Sequence, residues 1–216
     1  MKKIVAINGS PKGDKSVSGM LINQISREIN VEMKILKAIR YWNAPMSAAD
    51  ISEVLSADTL LIVFPLYVDA LPASLVKMLK LIETEFARHE RQKKPDVFAV
   101  CNCGLYEAEQ NRVALDILQN FCIRAGLFWC YGIGIGCGGT LANGNLKQGF
   151  TRNVVKPLHD IGTAIKNDTE CDSWENVFVT PKIPRIIYIM GGTLGWRQQA
   201  KKNGVSKSLR AKPYFQ

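Results

Sequence analysis

The sequence predicts an α/β fold: a doubly wound, five-stranded parallel sheet with helices on both faces and a helical C-terminal appendage. Three observations predict it. Short runs rich in Val, Ile and Leu alternate with segments of helical period. The run Leu60-Leu61-Ile62-Val63-Phe64 is apolar at every position, as a strand covered on both faces requires. Glycine, proline and serine punctuate the strand ends, as in Gly9-Ser10-Pro11.

Lys3 to Asn8 is the first strand, stopped by that turn. From about Ser16, the residues Met20, Leu21, Gln24, Ile25 and Ile29 follow helical spacing. Val31 to Leu36 alternates and predicts strand two, and Asp50 to Leu55 a short helix. Asp58 to Pro65 is strand three. Pro72 to Phe86 is a helix with Leu75, Val76, Leu79 and Ile82 on its apolar face and proline at a first-turn position, where a missing N–H costs little. The charge run Arg88 to Lys94 predicts a solvated connection to strand four, Val97 to Cys101. Glu107 to Ala125 is a long helix with Val113, Leu115, Ile117, Leu118 and Phe121 as core candidates. Leu127 to Gly134 is strand five, and Leu146 to Ile165 the last helix of the body. Right-handed crossovers and five strands in the first 165 residues or so fit the flavodoxin-like order 2-1-3-4-5. The predicted organisation is a domain over 1–166 and a basic extension over 167–216 that is not an independent domain, with the polar stretch Asn167 to Glu175 between them.

Composition narrows the function classes. An apolar fraction of 47% and a charged fraction of 22% over 216 residues describe a globular chain. No apolar run approaches the ~18 residues of a membrane span, and the apolar stretch before Asn8 is too short for a secretory signal. The first 175 residues carry 20 basic and 19 acidic side chains, whereas residues 176–216 carry 8 basic and no acidic ones. A neutral body with a basic tail argues against a nucleic-acid-binding domain, which would be basic throughout. The six cysteines form no C-x-x-C pair, and His89 and His159 lie far apart, so a reduced, cytoplasmic chain without a metal site is expected.

In open parallel sheets ligands bind beyond the carboxyl ends of the strands, here between strands one and three. The loop Gly9-Ser10-Pro11-Lys12-Gly13-Asp14-Lys15-Ser16-Val17-Ser18 leads into a helix, whose first N–H groups attract anions. With Lys12, Lys15 and the serines it reads as a phosphate cradle, or equally as a solvated turn with Ser16 as the helix cap. It is not a Walker loop. The loops Pro65-Leu66-Tyr67-Val68-Asp69-Ala70 and Asn102-Cys103-Gly104-Leu105-Tyr106 set aromatics beside small residues, where a flat ring could approach. Each alone is also an ordinary strand-to-helix loop.

Together the Gly-Ser-Pro-Lys loop with its serines, Ala57-Asp58 before the third strand, Pro65-Leu66-Tyr67 after it, and Pro72 and Lys77 beyond resemble the flavodoxin-like NAD(P)H-dependent oxidoreductases, the FMN reductase and quinone reductase group, over residues 1–165. The resemblance implies FMN as cofactor and NAD(P)H as co-substrate. It implies that Ser10, Lys12, Ser16 and Ser18 bind the FMN phosphate. It further implies that Pro65, Leu66, Tyr67, Val68, Asp69 and Ala70 support the ring and ribityl chain, while Asn102, Cys103, Gly104 and Tyr106 border the ring's other edge. Val68 stands where an aromatic often follows the tyrosine. Iron–sulfur relatives carry cysteines ahead of the Ala-Asp strand. Asn43 to Ala48 has none, so no cluster is expected. Such enzymes leave the redox chemistry to the flavin, and no catalytic acid or base is named. A homodimer and a small-molecule acceptor (flavin, quinone or nitro compound) are expected. The alternatives are a non-enzymatic FMN electron carrier, against which a neutral body counts because carriers have acidic docking surfaces, and a flavin-free interaction module.

Gly134-Ile135-Gly136-Cys137-Gly138-Gly139 matches G-x-G-x-x-G but follows the last strand with no helix starting at once, so a loop beside the flavin or at an interface is preferred to a dinucleotide site. Cys103 and Cys137 follow neighbouring strands; buried inert thiols are preferred to a redox pair. In the tail, Ile183, Ile186, Ile187, Met190 and Leu194 fall at helical spacing before Lys201, Lys202, Lys207, Arg210 and Lys212. Packing on the body or in a dimer is preferred, with an anionic membrane surface as the alternative.

Overall fold

A computed structural model of the chain describes residues 2–89, 94–141, 146, 149–167 and 175–211. Part of the predicted charge run (90–93), most of the predicted linker (168–174) and Lys212 lie outside the described residues. The chain divides into two compact units, Met1–Lys182 and Ile183–Gln216.

The first unit is built on a parallel sheet of β1 (Ile4–Asn8), β2 (Lys34–Lys37), β3 (Thr59–Pro65), β4 (Asp96–Asn102), β5 (Phe128–Ile135) and β6 (Val177–Val179). Its order is β2-β1-β3-β4-β5-β6 and every pairing is parallel. The predicted order of the first five strands holds. The sheet has six strands, however, not five. Val177-Phe178-Val179 sits in the segment read as extension and is too short to register as a periodic run. It is placed by tertiary contacts: the Asn176 side-chain oxygen accepts from the Gly132 N–H at 2.7 Å, and the Phe178 ring lies against Gly134.

Alternation along each strand divides the core. Val5, Ile7, Leu60, Ile62, Phe64, Val97, Ala99 and Cys101 face α2 (Ala48–Leu55), α3 (Ala73–Arg88) and α4 (Arg112–Ala125). Ile4, Ala6, Leu61, Val63, Phe98 and Val100 face α1 (Val17–Ile29) and α5 (Arg152–Asn167). This two-sided burial is why β3 is apolar at consecutive positions.

Helix phase corrects part of the expected core. On α4, Ala114, Leu115, Leu118 and Cys122 are buried, while Val113 and Ile117 are exposed. On α3, Leu75, Leu79 and Ile82 are buried and Val76 is exposed. β2 begins at Lys34 rather than Val31. Asn30 ends α1 in the left-handed region (φ 49°), and the Val31 N–H returns to the Ser26 carbonyl. α5 starts at Arg152, after a short 3-10 turn over Gly149–Thr151. The expectation of a fully reduced chain fails at Cys130, which is disulfide-bonded; Cys101, Cys103, Cys122 and Cys137 are free thiols.

The second unit is described by α6 (Arg185–Lys202), which follows Pro184 and ends at Asn203 and Gly204, and by the turns after it.

Candidate functional site at the carboxyl ends of three strands

β1, β3 and β4 end side by side, which brings the three candidate loops to one edge of the sheet. The first loop turns tightly on Gly9. Its N–H donates to the Val63 carbonyl at 2.8 Å, and a Cβ there would stand 2.7 Å from Phe64 Cβ and 2.8 Å from a Leu75 methyl carbon. No other residue fits so close an approach. Asn8, 1% exposed, holds the loop from inside: its Oδ1 accepts from the Ser10 N–H at 3.0 Å and its Nδ2 donates to the Gly13 carbonyl at 3.0 Å. Ser10 is buried and its hydroxyl oxygen accepts from the Lys12 N–H.

Ser16 is the N-cap of α1. Its hydroxyl accepts from the Gly19 N–H at 3.0 Å and donates to the Gly13 carbonyl. The Met20 N–H is taken by the Ser16 carbonyl. The N–H groups of Val17 and Ser18 are left at the open end of the helix, where its dipole is positive. Lys12 and Lys15 are exposed on the same loop. Lys37 pairs with Asp14 and removes that carboxylate's charge from the rim.

The second loop is a two-residue turn. Tyr67 and Ala70 exchange both backbone hydrogen bonds, at 3.0 and 3.1 Å. The residues between them, Val68 (φ 50°) and Asp69 (φ 57°), are both left-handed, as in a type I′ turn. Asp tolerates this conformation. A β-branched Val strains in it, and its side chain is 98% exposed.

Asn102 joins all three loops. Its Nδ2 donates to the Phe64 carbonyl at 3.1 Å and lies 3.4 Å from the Ser18 hydroxyl, and its own carbonyl accepts from the Leu66 N–H at 2.8 Å. Both Asn102 and Ser18 are buried. The sequence alone suggests for Asn102 only a place at the border of the ring. That a lone asparagine would tie three distant segments is not visible from spacing.

Gly136 lets the third loop close onto the end of β5, because a Cβ there would overlap the Tyr106 carbonyl oxygen. Gly138 then donates to the Cys103 carbonyl at 2.6 Å and Cys137 to the Leu105 carbonyl at 2.7 Å. The G-x-G-x-x-G run is thus a packing device that ends in a short 3-10 turn over Gly138–Leu141. Gly104 is exposed, with open space where its Cβ would stand.

Asn111, fully buried, directs its Nδ2 at the Ala108 carbonyl (2.8 Å), the Ile135 carbonyl (3.3 Å) and the Cys103 sulfur (3.4 Å), and was missed by sequence reasoning. Cys103 and Cys137 share the pocket under this loop, with their sulfurs against the carbonyls of Leu105 and Glu107 and of Tyr106. Burial raises the Cys103 pKa, and burial with the nearby Cys103 and Glu107 raises that of Cys137 to about 11. Both are protonated, unreactive thiols at neutral pH. Lys77 lies instead against Trp42, donating to its carbonyl. No cluster of potential metal ligands occurs among the described residues. Two open concavities beside α5, around Arg152 and Lys156 and around Tyr131 and Asp160, lie off this strand edge.

No protein-family model matches the chain, and no curated protein matches it. Solved structures do. An NADH:FMN oxidoreductase in its apo form superposes with a TM-score of 0.58 at 15% identity, over 87% of this chain and 98% of the other. A flavodoxin, WrbA-like protein from Agrobacterium tumefaciens gives 0.56 at 10% identity, over 78% and 97%. General stress protein 14 from Treponema denticola, solved in complex with FMN, gives 0.54 at 12% identity, over 76% and 99%. The chain shares the flavodoxin-like fold with these proteins.

Proposed function

We propose that this chain is an FMN-dependent NAD(P)H oxidoreductase that passes reducing equivalents from a nicotinamide to a small acceptor such as a flavin, quinone or nitro compound. The single observation that carries the reading is the convergence of three loops on Asn102 beside the open N-terminus of α1. The site fits the group in two places. An anion at the first loop would meet the N–H groups of Val17 and Ser18 with Lys12 and Lys15 alongside, and a flat ring would meet the open side of Gly104. Folds shared with an NADH:FMN oxidoreductase and with a protein solved with FMN support the same reading.

Ser10, Lys12, Ser16 and Ser18 then hold the phosphate end. Because Ser16 is engaged as a cap and Ser18 faces Asn102, the backbone N–H groups and the lysines supply the larger share of the attraction. Pro65 to Ala70, with Asn102, Cys103, Gly104 and Tyr106, position the ring. Bound flavin supplies the hydride-transferring chemistry. The chain's part is to orient the ring between two backbone-braced loops and to leave one face open to nicotinamide and acceptor in turn. The near balance of charge over the first 175 residues favours an enzyme over an acidic-surfaced electron carrier.

The test is a visible absorption spectrum with added FMN and riboflavin, followed by anaerobic addition of NADH and NADPH. FMN should bind more tightly than riboflavin, and one nucleotide should bleach the bound flavin. Well-folded protein that takes up no flavin would falsify the reading. Flavin bound but reduced by neither nucleotide would make the chain a carrier.

A further inference from the structure

The sixth strand ends beside the third loop of the site. β6 runs parallel to β5, with Val177, Phe178 and Val179 paired to Ile133, Gly134 and Ile135. One residue on, the Gly136 N–H donates to the Val179 carbonyl at 3.2 Å. Gly136 in turn lies against the backbone of Tyr106 and Ala108, where only a missing Cβ leaves room. The Arg112 guanidinium lies over the Phe178 ring, 4.5 Å from its centroid. Thr180 then makes two bonds. Its hydroxyl oxygen accepts from the Ala108 N–H at 3.0 Å, and its carbonyl accepts from Asn153 Nδ2 at 2.8 Å.

The bond to Ala108 fills a gap that the local sequence leaves. Ala108 is buried and opens the 3-10 turn Ala108–Asn111, where the first N–H groups have no partner within the turn. Glu107, in the capping position, makes no side-chain cap. A buried N–H left unpaired is costly, and its acceptor here comes from 72 residues along the chain. The loop from Asn102 to Tyr106 therefore has two anchors. Asn102 ties its start to β3 and α1, and Thr180 ties the chain just past its end to β6. The Cys103 and Cys137 sulfurs lie inside this arrangement, against the carbonyls of Leu105, Glu107 and Tyr106.

We propose that Thr180 is a positioning residue for the flavin site. By capping the Ala108 N–H from β6, it holds the Asn102–Tyr106 loop in place as the wall along the ring's edge. The inference rests on the flavin reading of that loop. It makes β6 part of the site's framework rather than an addition to the far side of the sheet.

The test compares Thr180→Val with Thr180→Ser in the full chain. Valine keeps the shape and removes the acceptor, whereas serine keeps the hydroxyl. Each protein is titrated with FMN and, separately, treated with N-ethylmaleimide, the labelled cysteines being read by mass spectrometry. In Thr180→Val, Cys103 and Cys137 should label about fivefold faster, the factor that one lost hydrogen bond gives to local opening. Cys122, buried on α4, should keep its parent rate. FMN affinity should fall by a similar factor, and Thr180→Ser should match the parent in both measurements. Parent labelling rates in Thr180→Val, or equal acceleration at Cys122, overturn the proposal, the latter because it reports general loosening. Faster labelling with unchanged FMN affinity also overturns it, since the loop would then be braced without serving the flavin. A parent that takes up no FMN ends the flavin reading and this role with it, and the labelling still separates a loop braced by Thr180 from one that is not. If Thr180→Val does not fold, deuterium exchange in the parent decides: an Ala108 amide that exchanges as fast as an exposed one overturns the proposal.

Discussion

The amide nitrogen of Asn102 lies 3.4 Å from the hydroxyl of Ser18, 84 residues earlier in the chain, and both side chains are buried. One end of this contact is the last residue of β4 and the other is the second residue of α1. It carries the position of the third loop to the mouth of the helix where the anion is proposed to sit. Asn102 also donates to the Phe64 carbonyl, so β3 is held in the same bond set.

Asn102→Leu should therefore loosen all three loops at once. It removes both donated bonds and leaves the Phe64 carbonyl short of a donor. The expected cost is about 1–3 kcal/mol in urea denaturation, with a fall in FMN affinity larger than that caused by an exposed-loop substitution such as Asp69→Asn. Unchanged stability would show that Asn102 is not a brace.

Two glycines at the site should respond in opposite ways. Gly9→Ala places a Cβ against Phe64 and Leu75 and should cost about 1–3 kcal/mol through overpacking. Gly104→Ala meets open space, so its stability should stay within about 0.5 kcal/mol of the parent. If the ring rests there, FMN affinity should fall in Gly104→Ala while the melting temperature does not.

Val68 pays for its place in the turn with strain. Its φ of 50° suits Asn, and its side chain is 98% exposed. Val68→Asn should raise stability by about 1 kcal/mol. A simultaneous loss of flavin or nicotinamide affinity would show that the strained side chain is kept for contact with a ligand. A destabilised Val68→Asn protein would refute the strain argument.

The buried thiols make the fold sensitive to alkali. Burial raises Cys122 from its ordinary value of 9.0 to about 12, and Cys137 reaches about 11 from the same start. Above pH 9.0 the unfolded chain loses these protons while the folded one keeps them, so the folded state is progressively disfavoured as pH rises toward 11 or 12. The urea midpoint should be insensitive to these thiols below pH 9.0 and should fall above it. Cys122→Ala should reduce that fall, and an identical alkaline profile in the variant would remove Cys122 as a cause.

The alternation of strands and helices and the order of the first five strands were legible in the sequence, and it pointed to the edge where the candidate site is proposed. Those follow from local terms: apolar period, turn residues, and the rule that ligands sit beyond the strands' carboxyl ends. The Gly9–Ser18 loop and the helix after it were legible for the same reason. Tertiary structure alone decided the rest. β6 has too few residues to show a period and is recruited by Asn176 and by the space at Gly134. Val113 and Ile117 look like core on a helical wheel, yet lie outward because the sheet selects which stripe of α4 it covers. Ser16 and Ser18 appear equivalent as hydroxyl donors, but one caps the helix and the other meets Asn102. Such assignments depend on which groups a fold brings within hydrogen-bond reach across long stretches of chain, a distance that no local pattern encodes.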